Sequence, residues 1–204
     1  MITIIDYGMG NLRSVQKALE FVGAPVIVSS DPQDILRADK VILPGVGAFG
    51  QAMQNLHKQE LIKPILESIG KKPFLGICLG MQLLLSVSAE FGPVQGLAVV
   101  PGSVDYFRDA AAFDQKLSVP HMGWNTVQQK DTSPLFVGLP GCFYVYFVHS
   151  FFVNPQDKQV LIGETNYGLP FCSALAQGQT YGIQFHPEKS SDVGLQILKN
   201  FAQL

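Results

Sequence analysis

The chain has 204 residues, 47% of them hydrophobic and 15% charged, with a net charge of −2 at pH 7. It is long enough to bury one large core, has no basic block to hold nucleic acid, and has no apolar run long enough to span a membrane as a helix. A mean hydropathy of +0.22 suits a sheet covered on both faces, or a surface that a partner covers.

The first half alternates strand and helix. Ile2–Ile5 reads as a strand, entered directly from Met1, so no leader segment is expected. Asn11–Phe21 reads as a helix with Asn11 as N-cap and an end near Gly23. Pro25–Val28 is a strand, Asp31–Ala38 a short helix, and Lys40–Leu43 a strand followed by Pro44-Gly-Val-Gly47. Phe49–Leu56 and Leu61–Ile69 are helical. Phe74–Ile77 is a short buried strand, and Leu79–Val87 is apolar at helical spacing. The second half is richer in strands. Leu97–Val100 and Val104–Phe107 are expected to pair through Pro101-Gly102. Trp124–Gln128, Cys142–Val148, Gln159–Glu164, Phe171–Ala176 and Thr180–Phe185 follow, and a helix over Val193–Phe201 comes last. Asp109–Lys116 and Asn154–Lys158 read as surface loops. The βαβα rhythm predicts an α/β fold: one domain over residues 1–204, with a mainly parallel open sheet, helices on both faces and an added antiparallel layer.

Three cysteines, Cys78, Cys142 and Cys172, are widely spaced with no C-x-x-C pair. That argues against a disulfide framework or a zinc site and for a reducing, cytoplasmic setting. Cys142 and Cys172 sit beside aromatics in strand-like runs and read as core. Cys78 sits at a strand-to-helix corner between Gly76 and Gly80. Small residues two before and two after a nucleophile keep such a corner sterically possible and project the side chain from the top of a sheet. The following helix would also favour thiolate over thiol. A buried structural cysteine would present the same residue, so the rest of the chain has to decide.

A thiolate nucleophile needs a base, and the base an orienting group. Of four histidines, His57 lies among polar helix residues, whereas His186 ends the apolar strand Tyr181–Phe185 and opens His186-Pro-Glu188. If the two strands are parallel neighbours, Cys78 and His186 emerge at one sheet edge. Pro187 fixes the backbone so that Glu188 can reach back to the imidazole. An oxyanion hole would take one N–H from Leu79 and another from the Gly45–Gly47 loop.

Gly76-Ile-Cys-Leu-Gly-Met-Gln82 together with Phe185-His-Pro-Glu188 resembles the class I (triad) glutamine amidotransferases. Five further segments narrow the resemblance: Asp6-Tyr-Gly-Met-Gly-Asn11, Leu43-Pro-Gly-Val-Gly-Ala-Phe49, Val119-Pro-His-Met-Gly-Trp-Asn125, Tyr146-Phe-Val-His-Ser150 and His186-Pro-Glu-Lys-Ser190. They are similar to those of the glutaminase subunits of imidazole glycerol phosphate synthases, along the whole chain. The resemblance implies glutamine as substrate, no cofactor or metal, and a Cys78, His186, Glu188 triad. It implies Val46 and Leu79, with Gly45 and Gly47 beside them, at the oxyanion, and Gln82, Ser150 and Phe151 around the substrate. It also implies a (β/α)8-barrel cyclase partner that receives ammonia, with His121, Met122, Trp124 and Asn125 as candidates for the docking face. Trp124 reads equally as a core aromatic at a strand start. Three other readings stay open: the glutaminase subunit of another synthase such as anthranilate synthase, a stand-alone thiol hydrolase, and a catalytically silent interaction subunit. Met81 and the His-Met-Gly-Trp-Asn segment speak against the first.

Overall fold

Thirteen strands and six helices make up the computed structural model, which describes residues 1–204. The first half holds β1 (Ile2–Ile5), α1 (Leu12–Phe21), β2 (Val26–Ser29), α2 (Pro32–Arg37), β3 (Lys40–Gly45), α3 (Phe49–Lys58), α4 (Ile62–Ser68) and β4 (Phe74–Cys78). After β4 comes α5 (Leu79–Gln82). There follow β5 (Leu85–Ser88), β6 (Val94–Gln95), β7 (Val100–Tyr106), β8 (His121–Gln129), β9 (Cys142–His149), β10 (Phe151–Pro155), β11 (Leu161–Asn166), β12 (Pro170–Gln177) and β13 (Thr180–Ile183). The last element is α6 (Ser191–Gln203).

All thirteen strands join one sheet, with the main order β2-β1-β3-β4-β13-β12-β10-β7-β5-β6. The stretch from β2 to β13 is parallel. From β13 onward pairing is mostly antiparallel, and β11, β8 and β9 branch off β12 as the added layer. The α/β architecture therefore matches the expectation.

The parallel strands read as near-continuous apolar runs because helices cover both faces. Alternate residues feed opposite cores. Ile2, Ile4, Ile42, Leu75 and Ile77 share a cluster with Val15 and Leu19 of α1 and Ile197 and Phe201 of α6. Ile5, Val41, Leu43 and Phe74 share the other with Ile35, Leu56 and Ile65 from α2, α3 and α4.

The structure corrects the sequence reading in four places. The helix expected over Leu79–Val87 stops at Gln82, and Leu85–Ser88 is a strand. The carbonyls of Leu83, Leu85 and Ser86 accept from Leu97, Ala98 and Gly96, so distant partners take the bonds that would have continued the helix. An apolar run buried on all sides carries no period that tells helix from strand. The expected hairpin at Pro101-Gly102 is instead the interior of β7, where Gly102 faces Pro155 of β10. A Cβ on Gly102 would lie 2.8 Å from Pro155 Cα, so this glycine permits close approach rather than a turn. Phe151–Pro155, unassigned or read partly as loop, is a strand held between β12 and β7. Cys142 is exposed, whereas Cys172 is buried as expected.

Candidate active site

Three strands deliver the site to one edge of the sheet. β4 and β13 are parallel neighbours in the register Gly76↔Gly182 and Ile77↔Ile183. Cys78 therefore leaves its strand beside the segment Gln184-Phe-His186. On the other side β3 ends with Gly45 opposite Cys78, which brings the Pro44–Gly47 loop alongside.

The corner at Cys78 is strained. Its φ of 54° and ψ of −110° lie outside the regions a side-chain-bearing residue normally occupies. A Cβ on Gly76 would lie 2.6 Å from the Gly80 carbonyl oxygen, and one on Gly80 would fall on the Leu43 carbonyl. The two glycines are thus demanded by backbone contact, as the spacing predicts. Two expectations change. Cys78 is only 6% exposed, so the sulfur sits at the floor of a cleft rather than in open solvent. The helix after it is a single turn, which carries little macrodipole.

His186 is 2% exposed. Its Nδ1 lies 2.9 Å from Glu188 Oε1, and the Glu188 side chain is 1% exposed. A carboxylate only accepts, so Nδ1 carries the proton and Nε2 is left free. That Nε2 is buried without a hydrogen bond of ordinary geometry. Burial works to lower the imidazole pKa; hydrogen bonding with Cys78 and Glu188 and their negative charge outweigh it and push it up to about 10. Imidazolium is the state this environment favours for His186. The backbone frame of His186 comes from β9. His186 N–H donates to the Tyr146 carbonyl, Tyr146 N–H to Ser190 Oγ at 3.0 Å, and Ser190 Oγ to the His186 carbonyl at 2.6 Å.

Cys78 and His186 open into a cleft of about 320 Å³ whose wall includes Val46, Gly47, Leu79, Gln82, Ser150 and Phe151. This is at the small end of the range for ligand pockets, roughly 300–1,000 Å³. Gly45 lies behind the wall, where a Cβ would strike the Tyr7 hydroxyl and Leu79. Gly47 has a φ of +96°. Glu90, which the motifs do not reveal, also lines the cleft; its Oε2 accepts the Phe49 N–H at the start of α3, at 2.6 Å. Gln184, also unremarked in the sequence, places its Nε2 3.6 Å from Cys78 Sγ. A polar residue inside the apolar run Tyr181–Phe185 is the signal that could have marked it. A larger depression of about 840 Å³ between α2 and α4 is lined by His57, Glu60, Lys63 and Glu67 and includes none of the triad residues.

The four residues expected on a docking face divide. Met122 and Trp124 are 62% and 55% exposed, with Tyr144 beside them at 63%; Trp124 is thus not a core aromatic. His121 points inward at 3% exposure, stacked between Tyr167 and Phe147. Asn125 donates to the Asn166 carbonyl and is bonded to His121.

The constellation is a buried thiol, imidazole and carboxylate beside a glycine-rich loop, in a cleft fit for a small molecule. A family model for glutamine amidotransferase class-I matches residues 3–204. The imidazole glycerol phosphate synthase subunit HisH of Geobacter sulfurreducens is 50% identical over 205 residues, covering 100% of this chain and 98% of that protein. The subunit HisH 1 of Methanococcus maripaludis is 49% identical over 208 residues, covering 100% of both. A solved glutamine amidotransferase superposes with a TM-score of 0.75 at 17% identity over 100% of both chains. The solved PurLQS of Thermotoga maritima does so at 0.71 and 16%, over 99% of this chain and 95% of that one; at such identities the likeness concerns the fold. The chain belongs to the class-I glutamine amidotransferases and, within them, to the family of the imidazole glycerol phosphate synthase subunit HisH.

Proposed function

We propose that this class-I glutamine amidotransferase is the glutamine-hydrolysing subunit of imidazole glycerol phosphate synthase, serving histidine biosynthesis. The observation that carries the chemistry is the strained Cys78 corner beside the buried His186–Glu188 pair. Cys78 Sγ attacks the side-chain amide carbon of glutamine. The N–H groups of Leu79 and Val46 receive the oxyanion, with Gly45 and Gly47 giving the loop the freedom to turn its peptide. His186 donates its proton to the nitrogen as the C–N bond breaks, and ammonia leaves a γ-glutamyl thioester. Water then gives a proton back to His186 as it adds to the thioester. Glutamate departs and the sulfur is restored. Glu188 orients the imidazole and balances its charge.

Ser150, Phe151, Gln82 and Glu90 hold the substrate in this reading. Glu90 is a carboxylate in the cleft wall and suits the α-ammonium group. The Gln82 Nε2 is committed to the Phe151 carbonyl and to Gln184, so only its Oε1 is available to glutamine. The relatives' description as a synthase subunit supports passage of the ammonia to a second chain, a (β/α)8-barrel cyclase subunit. It docks on the exposed strip of Met122 and Trp124, with Asn125 at its edge. Free Cys78, Cys142 and Cys172 accord with a reducing, cytoplasmic setting.

Steady-state glutamate release, measured for the chain alone and with the cyclase subunit and its ligand, tests this. In this reading the loop peptide turns its Val46 N–H toward the oxyanion only in the liganded complex; a missing oxyanion donor costs about 2.7–4 kcal/mol, so turnover should rise roughly a hundredfold or more in that complex, with KM little changed. Full turnover by the isolated chain would refute the loop switch, and no release in the complex would refute the glutaminase reading.

A further inference from the structure

Two buried histidines have no part in this chemistry. His121 on β8 and His149 on β9 are paired across the strands and are 3% and 6% exposed. Burial pushes their pKa values down to about 4 and about 3, so both rings are neutral at pH 7. A neutral imidazole has one donor and one acceptor, and the neighbours decide which nitrogen is which. His149 Nδ1 lies 2.7 Å from the Phe151 carbonyl, so Nδ1 carries the proton and Nε2 accepts. His121 Nδ1 lies 3.0 Å from that Nε2, which makes it the donor. His121 Nε2 then accepts from Asn125 Nδ2 at 3.2 Å. The bonds run with one polarity from Asn125 to the Phe151 carbonyl.

From that carbonyl a second run of bonds leads to the sulfur with the donor direction reversed at the carbonyl, because a carbonyl oxygen only accepts. The Phe151 carbonyl also accepts from Gln82 Nε2 at 3.1 Å. Gln82 Nε2 donates again, to Gln184 Oε1 at 3.1 Å. That leaves Gln184 Nε2 facing Cys78 Sγ at 3.6 Å, with the Gln184 side chain wholly buried. Turning either amide over would set two donors or two acceptors against each other without water to relieve them.

We propose that Gln184 is a further catalytic residue whose side-chain N–H stabilises the anionic Cys78 sulfur, oriented by Gln82 and the Phe151 carbonyl, and that His149, His121 and Asn125 are positioning residues that hold this carbonyl in place. A hydrogen bond to a charged acceptor shifts an ionisation equilibrium roughly ten- to a hundredfold. Asn125 adjoins the exposed Trp124, so the chain of bonds starts beside the surface strip and ends on the nucleophile. The other titratable groups around the sulfur are His186 after β13, Tyr7 after β1, and Glu90 and His149 in the cleft wall.

The proposal rests on the glutaminase reading only for what the sulfur attacks, so its deciding readout uses no glutamine. The rate of Cys78 alkylation by iodoacetamide is followed against pH, with peptide masses separating Cys78 from the exposed Cys142. Gln184→Leu, or the length-matched Gln184→Met if Leu does not fold, should raise the midpoint by about one to two pH units. Glutamate turnover in the complex should fall roughly tenfold or more, with KM changed less than about threefold. His149→Leu should move the midpoint the same way, and His149→Asn, which keeps a donor at the Nδ1 position, by less than half as much. A folded Gln184 variant with an unmoved midpoint overturns the catalytic role. Equal shifts in His149→Leu and His149→Asn overturn the positioning role. Midpoint shifts together with no glutamate release from the unmodified complex would sink the glutaminase reading and leave this one standing.

Discussion

Acid should destabilise the fold through His149 before the carboxylates titrate. In the unfolded chain its pKa is the ordinary 6.5; in the native chain burial brings it down to about 3. A depressed native pKa means that the unfolded state binds the proton first, so stability is complete above pH 6.5 and is lost as pH falls toward the native value. At pH 5 about 97% of unfolded chains carry the proton and about 1% of native ones do, a difference of about 2 kcal/mol between pH 7 and pH 5. For a protein of this size that lowers Tm by about 4–8 °C. His121 acts in the same direction, discounted because it is less completely shielded. His186 acts in the opposite direction, its native pKa being raised. Its stabilisation is present below pH 6.5 and lost as pH rises toward about 10, and it cancels when variants are compared. The measurement is urea unfolding of the chain and of His149→Asn at both pH values. The unmodified chain should lose more stability on acidification than the variant, by about 2 kcal/mol. Equal losses would mean that His149 is already protonated in the native state, and the tautomer argument would fall with it.

Cys78→Gly should abolish glutamate release yet raise stability by about 1 kcal/mol, because glycine adopts the positive φ without strain; a lower unfolding midpoint in urea would contradict this. Gly80→Ala should cost more than about 3 kcal/mol, since its Cβ meets the rigid Leu43 carbonyl rather than a movable side chain, and recovery of a chain with unchanged Tm would count against it. His186→Asn should remove nearly all turnover and Glu188→Gln leave a measurable remainder, because the base transfers protons and the carboxylate only orients it; identical residual rates would refute that division. A glutamine-analogue electrophile should label Cys78 and spare the more exposed Cys142, as peptide mass analysis would report.

Features that depend on near neighbours in the chain are legible in the amino-acid order alone. The Gly-x-Cys-x-Gly corner, the reach of Glu188 back to His186 across one proline, and the strand–helix alternation up to Phe74–Cys78 are local consequences of sterics and period. Tertiary structure decided which apolar runs found distant backbone partners. Leu83–Ser86 offers its carbonyls to Gly96–Val100 instead of to its own next turn, and no local pattern in so apolar a stretch records that choice. The same holds for Gly102, a residue of turns by composition but of close strand packing by contact. It holds for His121 too, which shares a motif with exposed Trp124 yet faces inward. Period-2 alternation sends His121 and Trp124 to opposite faces once β8 is a strand; which face is buried depends on β9 and Tyr167. Only the register of β4 against β13 sets Cys78, Gln184 and His186 together, because side chains far apart in sequence meet through sheet pairing, and pairing is a property of the whole fold.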